Sequence, residues 1–385
     1  MQKDAHYYAI LAFCRVCGFK KESAHKVAYA SQFVDDAKIN LIFFHEPQEF
    51  VSEHDVIEGK PAFFNMATCH SYAHIKTYNY EAMTNNTVAF HFVPGCRGEN
   101  FSKKMRCQEE SPVILTLLEE ALKEGDLIKL GMTLHAYADT FSHQGFSGIL
   151  SKVNDIKHCR PHAKVYSCLK DKYVYFMKGI LDSLEDKARK WDLYEKLLDL
   201  LIPAYGHGQA MFFPDYAYLK WSYAYDYSDE FSGTYQRTEI DNRERYRRAF
   251  LKIYEYLTEF VSRHQQYLDP DLKLNNHQLV QTKLLPTLLA PGTLGNREKR
   301  WQKVMLEEGL FNNTDQHIIT YDEDYWLKNA FANYNRPGFN RRKVKGVQLA
   351  TNFANSDWYK FYLAVKWYKK KFFQACRDNQ LDIPN

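Results

Sequence analysis

The chain of 385 residues sets 51 Lys and Arg against 47 Asp and Glu, a formal net charge of +4, and carries 45% hydrophobic residues with 28 Tyr, 26 Phe and 6 Trp. This composition excludes disorder and low complexity for most of the length, and the near balance of charge excludes a cation-coated module dedicated to polyanions. Eight cysteines in so long a chain form no dense framework, so a hydrophobic core carries the stability and the compartment reads as reducing.

At the N-terminus, Asp4, His6 and Arg15 interrupt the apolar residues and no small-residue cleavage site follows, so the segment does not read as a secretory signal. No uncharged apolar run reaches the ~18 to 20 residues needed to span a bilayer. The expectation is a protein soluble and cytoplasmic as synthesised, with any export by a route independent of a signal peptide.

In chain order, Tyr7, Ile10, Leu11, Cys14 and Cys17 recur at intervals of three and four, which lays an apolar stripe on a first helix that Gly18 stops. Further helices are predicted at 22–35, 64–82, 111–122, 125–145, 164–185, 186–202, 241–264, 298–309 and 355–377. Ser111 and Pro112 mark the start of one of them as N-cap and N1. The β-rich piece Thr87 to Val93, closed by Pro94 and Gly95, reads as a strand or extended loop. Such pieces recur too rarely for a sheet-based fold, so the fold class is all-α. Pro, Gly and Asn gather at 269–296, which divides a helical metal-binding catalytic domain, 1–268, from a mainly helical C-terminal region, 297–385.

The chemistry concentrates in the run from Leu134 to Phe146, where His135, Asp139 and His143 stand four residues apart. On a helix each step climbs about 6 Å and rotates only about 40°, so all three share one face. Imidazole and carboxylate are the usual ligands of Zn²⁺ in sites that keep a position for water, and a row of this length suits two or more ions with Asp139 between them. The competing reading is that the histidines cap or bridge within a helix bundle. A second string, Ala204 to Asp215, places His207 between Gly206 and Gly208, with Pro214 and Asp215 following. Flanking glycines let the backbone approach an ion, or make a tight turn in which His207 bonds its own backbone.

Other groups fit the same chemistry. His6 precedes the first apolar stripe, and the adjacent acids Asp35 and Asp36 repel one another unless a metal, Lys38 or solvent answers their charge. His70 and His91 are further ligand candidates, His91 standing between Phe90 and Phe92. Cys14 and Cys17 lack a second CxxC pair and read as helix-packed thiols. Motifs of the HExxH, P-loop and GxSxG kinds are absent, and the doublet His54-Asp55 carries little by itself. Near the C-terminus, Arg341 to Lys345 and Trp358 to Phe373 interleave cations with aromatics, a pattern that suits anionic lipid headgroups or a packed helix with solvated lysines.

Taken together, these strings resemble the helical trinuclear-zinc superfamily of zinc-dependent phospholipases C and fungal single-strand nucleases. More closely, MQKDAHYY, QFVDDA, HFVPG, HAYADTFSHQGF and GHGQAMFFPD, with Leu219 to Tyr223 after them, look like a bacterial and fungal family of zinc metallophospholipases C that includes secreted effectors implicated in virulence. The resemblance covers residues 1 to about 225. It implies two or three Zn²⁺ ions. One would be held by His135 with an upstream Asp, either Asp35 or Asp36, and an upstream His, either His70 or His91. Asp139 would bridge to a second ion held with His6, and His143, His207 and Asp215 would share the third. Two spacings depart from that pattern: the superfamily sets its Asp and following His further apart than Asp139 and His143, and its last ligand pair closer than His207 and Asp215. Its type enzymes also bind metal through an N-terminal amine freed by processing, of which Met1 carries no sign.

The expectation is a phospholipase C that hydrolyses the headgroup phosphodiester of a glycerophospholipid, phosphatidylcholine in type, by metal-activated water, with Asp35, Asp36 and Asp139 as catalytic groups. The partner is phospholipid, with peripheral membrane contact through the basic and aromatic C-terminal region. Two rivals remain: a nuclease or nucleotide phosphodiesterase with the same metals, and a non-catalytic helical interaction protein whose His and Asp rows are structural.

Overall fold

The computed structural model describes residues 1–45, 52–69, 80–165, 206–272 and 276–384. A π-helical stretch, Asp4–Ala9, runs into helix α1 (Ile10–Val16), and after Gly18 the chain turns into α2 (Lys21–Asp36). The apolar residues Ala24, Val27, Ala28 and Val34 of α2 recur at helical spacing and are fully buried. Strands β1 (Leu41–Phe44), β2 (Asp55–Ile57) and β3 (Lys60–Phe64) follow. A second π-helical stretch, Met83–Val88, continues into the single turn α3 (Ala89–His91).

Helix α4 (Pro112–Glu124) begins with the Ser111 side chain accepting from the Ile114 N–H and ends at Gly125 in the left-handed region. Helix α5 (Leu127–Ser142) is capped by Asp126, which accepts from the N–H groups of Ile128 and Lys129. Strand β4 (Ile156–Pro161), the short helix α6 (His207–Ala210), strands β5 (Lys220–Tyr225) and β6 (Gln236–Asp241) and helix α7 (Asn242–Arg263) come next. Toward the C-terminus lie α8 (Leu294–Glu307), β7 (Lys343–Val347) and α9 (Asp357–Asp378).

The all-α expectation is overturned by two sheets. One has the order β2-β3-β1-β7, with β1 antiparallel to β3 and parallel to β7; the other has the order β4-β5-β6 and is antiparallel throughout. The strands escape a periodicity reading because they are short and β1 is a continuous apolar run, Leu41-Ile42-Phe43-Phe44, which pattern alone does not separate from buried helix. The converse error occurs at Thr87 to Val93: this β-branched piece is helical as far as His91. Tertiary burial decides there, since Val88, Ala89 and Phe90 are all fully enclosed. Of the helix expected at 64–82, Phe64 ends β3, 65–69 is non-helical and Tyr80–Ala82 is helical, while 70–79, most of 164–185 and all of 186–202 lie outside the described residues.

One continuous hydrophobic core takes residues from Met1 to Ile383, including Val280, Leu284, Leu285 and Leu288 from the segment read as a boundary. A smaller core lies against the three-stranded sheet and includes Phe92, Phe146, Trp221 and Tyr223. Helices α2 and α5 cross closely at Gly131, where a Cβ would stand 2.2 Å from the Val27 carbonyl oxygen, so only glycine permits the approach. That approach brings the end of α2 beside the His and Asp row of α5. No helix among the described residues is long and apolar enough to cross a membrane.

Candidate metal centre

Helix α5 supplies His135 and Asp139 from one buried face, and His143 follows at its C-cap. His91 ends α3, where Phe92 leaves helical backbone, and His6 lies in the first π-helical stretch. Gly206, at φ +55, precedes His207; a Cβ there would meet the Phe146 ring at 2.5 Å, so the entry to α6 demands glycine. Asp215 closes a 3₁₀ turn, Phe213–Asp215. The fully buried Asn242 side chain donates to the carbonyls of Phe213 (2.6 Å) and Tyr216 (2.9 Å) and so holds that turn in place.

These elements bring four ligand-type atoms around one point. His91 Nδ1 lies 3.1 Å from both His135 Nε2 and Asp139 Oδ2, and His135 Nε2 lies 3.4 Å from the same Asp139 oxygen. Asp35 Oδ1 stands 3.8 Å from each of those two imidazole nitrogens. Ligands about 2.0–2.2 Å from a tetrahedral ion are separated by roughly 3.3–3.6 Å, so the set has the size of a first coordination sphere. His91 Nε2 faces the Thr68 carbonyl at 2.9 Å and therefore carries the hydrogen, which turns the Nδ1 lone pair of the neutral ring toward a carboxylate oxygen. Two lone pairs at that distance require a cation between them, a proton or a metal ion.

The other oxygen of Asp139 serves a second group: Oδ1 lies 3.1 Å from His6 Nε2 and 2.6 Å from the α-amino nitrogen of Met1. The His6 ring stacks on His135 with centroids 3.8 Å apart. A third group forms where His143 Nε2 and His207 Nε2 each approach Asp215 Oδ1 to 3.2 Å, with the Met1 nitrogen 3.3 Å from the same oxygen. His143 Nδ1 donates to the His91 carbonyl (2.8 Å), so its Nε2 again offers a lone pair. Among the described residues, three sets have their ligand atoms within 4.8 Å of one another: His6, Asp35 and His135; His91, His135 and Asp139; and His143, His207 and Asp215.

Electrostatics prepares these groups for a cation. Burial pushes His6 and His135 down to about 4, and lowers His143 as well. Burial works to raise Asp139 and Asp215, but the Met1 ammonium and neighbouring imidazoles hold both well below the carboxylate range. Burial raises Asp35 to about 6. His91 is the exception: burial lowers it, but Asp139 and Asp35 outweigh that and raise it. Neutral imidazole and ionised carboxylate are the forms that bind metal.

Of the residues singled out in the sequence, His6, Asp35, His91, His135, Asp139, His143, His207 and Asp215 converge here. Asp36 does not. It turns away from the centre, where its Oδ2 accepts from the Tyr321 hydroxyl (2.6 Å) and Gln32 Nε2 (3.3 Å), because neighbours on a helix point about 100° apart. His70 lies outside the described residues. His54 sits beside β2, with Nδ1 3.0 Å from the Ser52 carbonyl. The Met1 nitrogen, the Thr68 carbonyl and Asn242 carried no motif, since two are backbone atoms and the third acts through backbone.

No curated protein and no solved structure matches the chain. A single family model covers nearly all of it, residues 1–376, and the chain belongs to that family, described as a family of unknown function (DUF6765).

Proposed function

We propose that the protein is a zinc-dependent phosphodiester hydrolase of the phospholipase C type, acting on the headgroup phosphodiester of a glycerophospholipid such as phosphatidylcholine. The observation that carries this reading is the buried group of His91 Nδ1, His135 Nε2 and Asp139 Oδ2, 3.1–3.4 Å from one another, with Asp35 Oδ1 3.8 Å from both nitrogens. The resemblance of the ligand-bearing strings to zinc metallophospholipases C supports the choice of metal and substrate.

Bound divalent ions would supply Lewis acidity toward the phosphate oxygens and a nucleophile at neutral pH. His91, His135, Asp35 and Asp139 would hold one ion, His6 and Asp139 a second, and His143, His207 and Asp215 a third. The side chain of Asp35 is 31% exposed where that of Asp139 is 1% exposed, so Asp35 marks the face open to water and substrate. There its carboxylate would also accept the proton of the attacking water. Asp139, enclosed and turned toward two imidazole groups at once, would join neighbouring ions and keep their separation fixed.

The test is elemental analysis of purified protein, then assays on phosphatidylcholine vesicles and on single-stranded DNA before and after chelation and with Zn²⁺ restored. Stoichiometric zinc with chelator-sensitive release of phosphocholine is the expected result. Cleavage of DNA alone would replace the lipid substrate with a nuclease activity. Protein that takes up no metal and cleaves neither would leave a non-catalytic interaction protein.

A further inference from the structure

Helix α9 buries a lysine. Lys369 is only 6% exposed, and its ammonium donates to the Asn65 carbonyl (2.8 Å), to Asn65 Oδ1 (2.9 Å) and to Asn86 Oδ1 (3.1 Å). Among the described residues it makes no ion pair, so a full charge or its neutral amine is held by neutral oxygens alone. Such a group is costly to bury and needs a reason for being there.

The two segments that Lys369 ties together meet again at His91. Asn65 opens the stretch that leads to Thr68, whose carbonyl faces His91 Nε2, whose hydroxyl donates to the Val34 carbonyl (2.7 Å), and whose N–H donates to the Ala37 carbonyl (3.1 Å). Thr68 thus touches both His91 and the end of α2 that bears Asp35. Asn86 lies in the π-helical stretch that runs on into α3 and ends at His91. The Phe90 ring lies 5.9 Å from the ammonium.

We propose that Lys369 is a positioning residue for the metal group of His91, His135, Asp35 and Asp139. By clamping Asn65 to Asn86 it sets the distance between the Thr68 carbonyl and His91, and so the tautomer and aim of the His91 ring. The proposal rests on the metal reading of these residues. The group of His143, His207 and Asp215 is held by Asn242 and Gly206 and meets this clamp only through the His143 Nδ1 bond to the His91 carbonyl, 2.8 Å.

The experiment loads chelated protein with Co²⁺ and reads the number of ions bound, their affinities and the visible absorption of the cobalt, with far-ultraviolet circular dichroism as the check on folding. In Lys369→Met, which keeps the length and apolar stem of the side chain, one class of sites is expected to weaken about 10–100-fold with an altered cobalt spectrum while the other classes weaken far less. Asn65→Gly is the second variant, since Asn65 sits at φ +55, where glycine is at ease, and it removes one of the three acceptors. It is expected to shift the same class in the same direction by less. Wild-type affinities and spectrum in both variants would overturn the positioning role, as would an equal loss in every class of site. Wild-type protein that takes up no cobalt would overturn the metal reading itself, and this inference with it.

Discussion

The last turn of α2 sends two adjacent acids in different directions, about 100° apart around one helix. Asp35 reaches toward the nitrogens of His91 and His135 at 3.8 Å, whereas Asp36 accepts from the Tyr321 hydroxyl at 2.6 Å and borders a cavity of about 150 Å³ lined by Phe33, Trp358, Phe361 and Tyr362. Burial raises both carboxyls. What separates them is the company each keeps. Asp36 faces hydrogen-bond donors and is satisfied by them, while Asp35 faces the nitrogens of His91, whose hydrogen goes to the Thr68 carbonyl, and of His135, and is held by neither.

That contrast is open to measurement, and the largest expected effect lies at the carboxylate shared by two groups. Asp139→Asn should keep its helix and its hydrogen-bonding shape but reduce metal affinity, and with it the activity proposed above, by about a hundredfold, because both oxygens face ligand sets. Full metal content in that variant would mean Asp139 joins nothing.

Gly131→Ala comes next. A methyl group 2.2 Å from the Val27 carbonyl must push α2 from α5, costing about 1–3 kcal/mol in denaturant unfolding and drawing Asp35 away from His135. Unchanged stability and metal affinity would show that the helix crossing tolerates slack and does not set the site.

A paired substitution then compares the two acids directly. Asp35→Asn should weaken metal binding measured by competition with a chelator, while Asp36→Asn should leave it at the wild-type value and change stability by about 1 kcal/mol or less, since the amide oxygen still accepts from Tyr321. Equal losses in both would erase the distinction between the two faces.

A separate effect, read on the metal-free protein, is a pH dependence of stability at the Lys369 clamp. Burial pushes Lys369 down to about 7, so between that value and its unfolded value near 10.5 the unfolded chain binds more protons than the native one. The destabilisation from burying the charge is fully present below about pH 7 and fades as pH rises. In metal-free protein, wild type should therefore gain stability on Lys369→Met between pH 7 and 10, by up to about 1.4 kcal/mol per pH unit. A pH-independent difference would mean that Lys369 stays a charged ammonium in the folded protein across this range.

Much of the site was legible because its centre is local. His135, Asp139 and His143 follow the helical period, so their shared face could be read before any tertiary structure was known. Choosing between Asp35 and Asp36 required the direction of one helix turn, and the Thr68 carbonyl and Lys369 act through contacts that carry no motif. The sheets were missed for the same reason: β7 pairs with β1 from the other end of the chain, and nothing in the composition of Lys343 to Val347 names that partner.

The amino-acid order by itself determined the helices with clear caps and periods, the glycines beside His207, and the types of ligand available. Only the tertiary structure decided which of those ligands meet, and that the fold holds two sheets. Local order sets the direction of a side chain relative to its own helix, but the distance between two helices follows from how their surfaces pack, as at Gly131, and it is that distance that makes a cluster of imidazoles and carboxylates into a site.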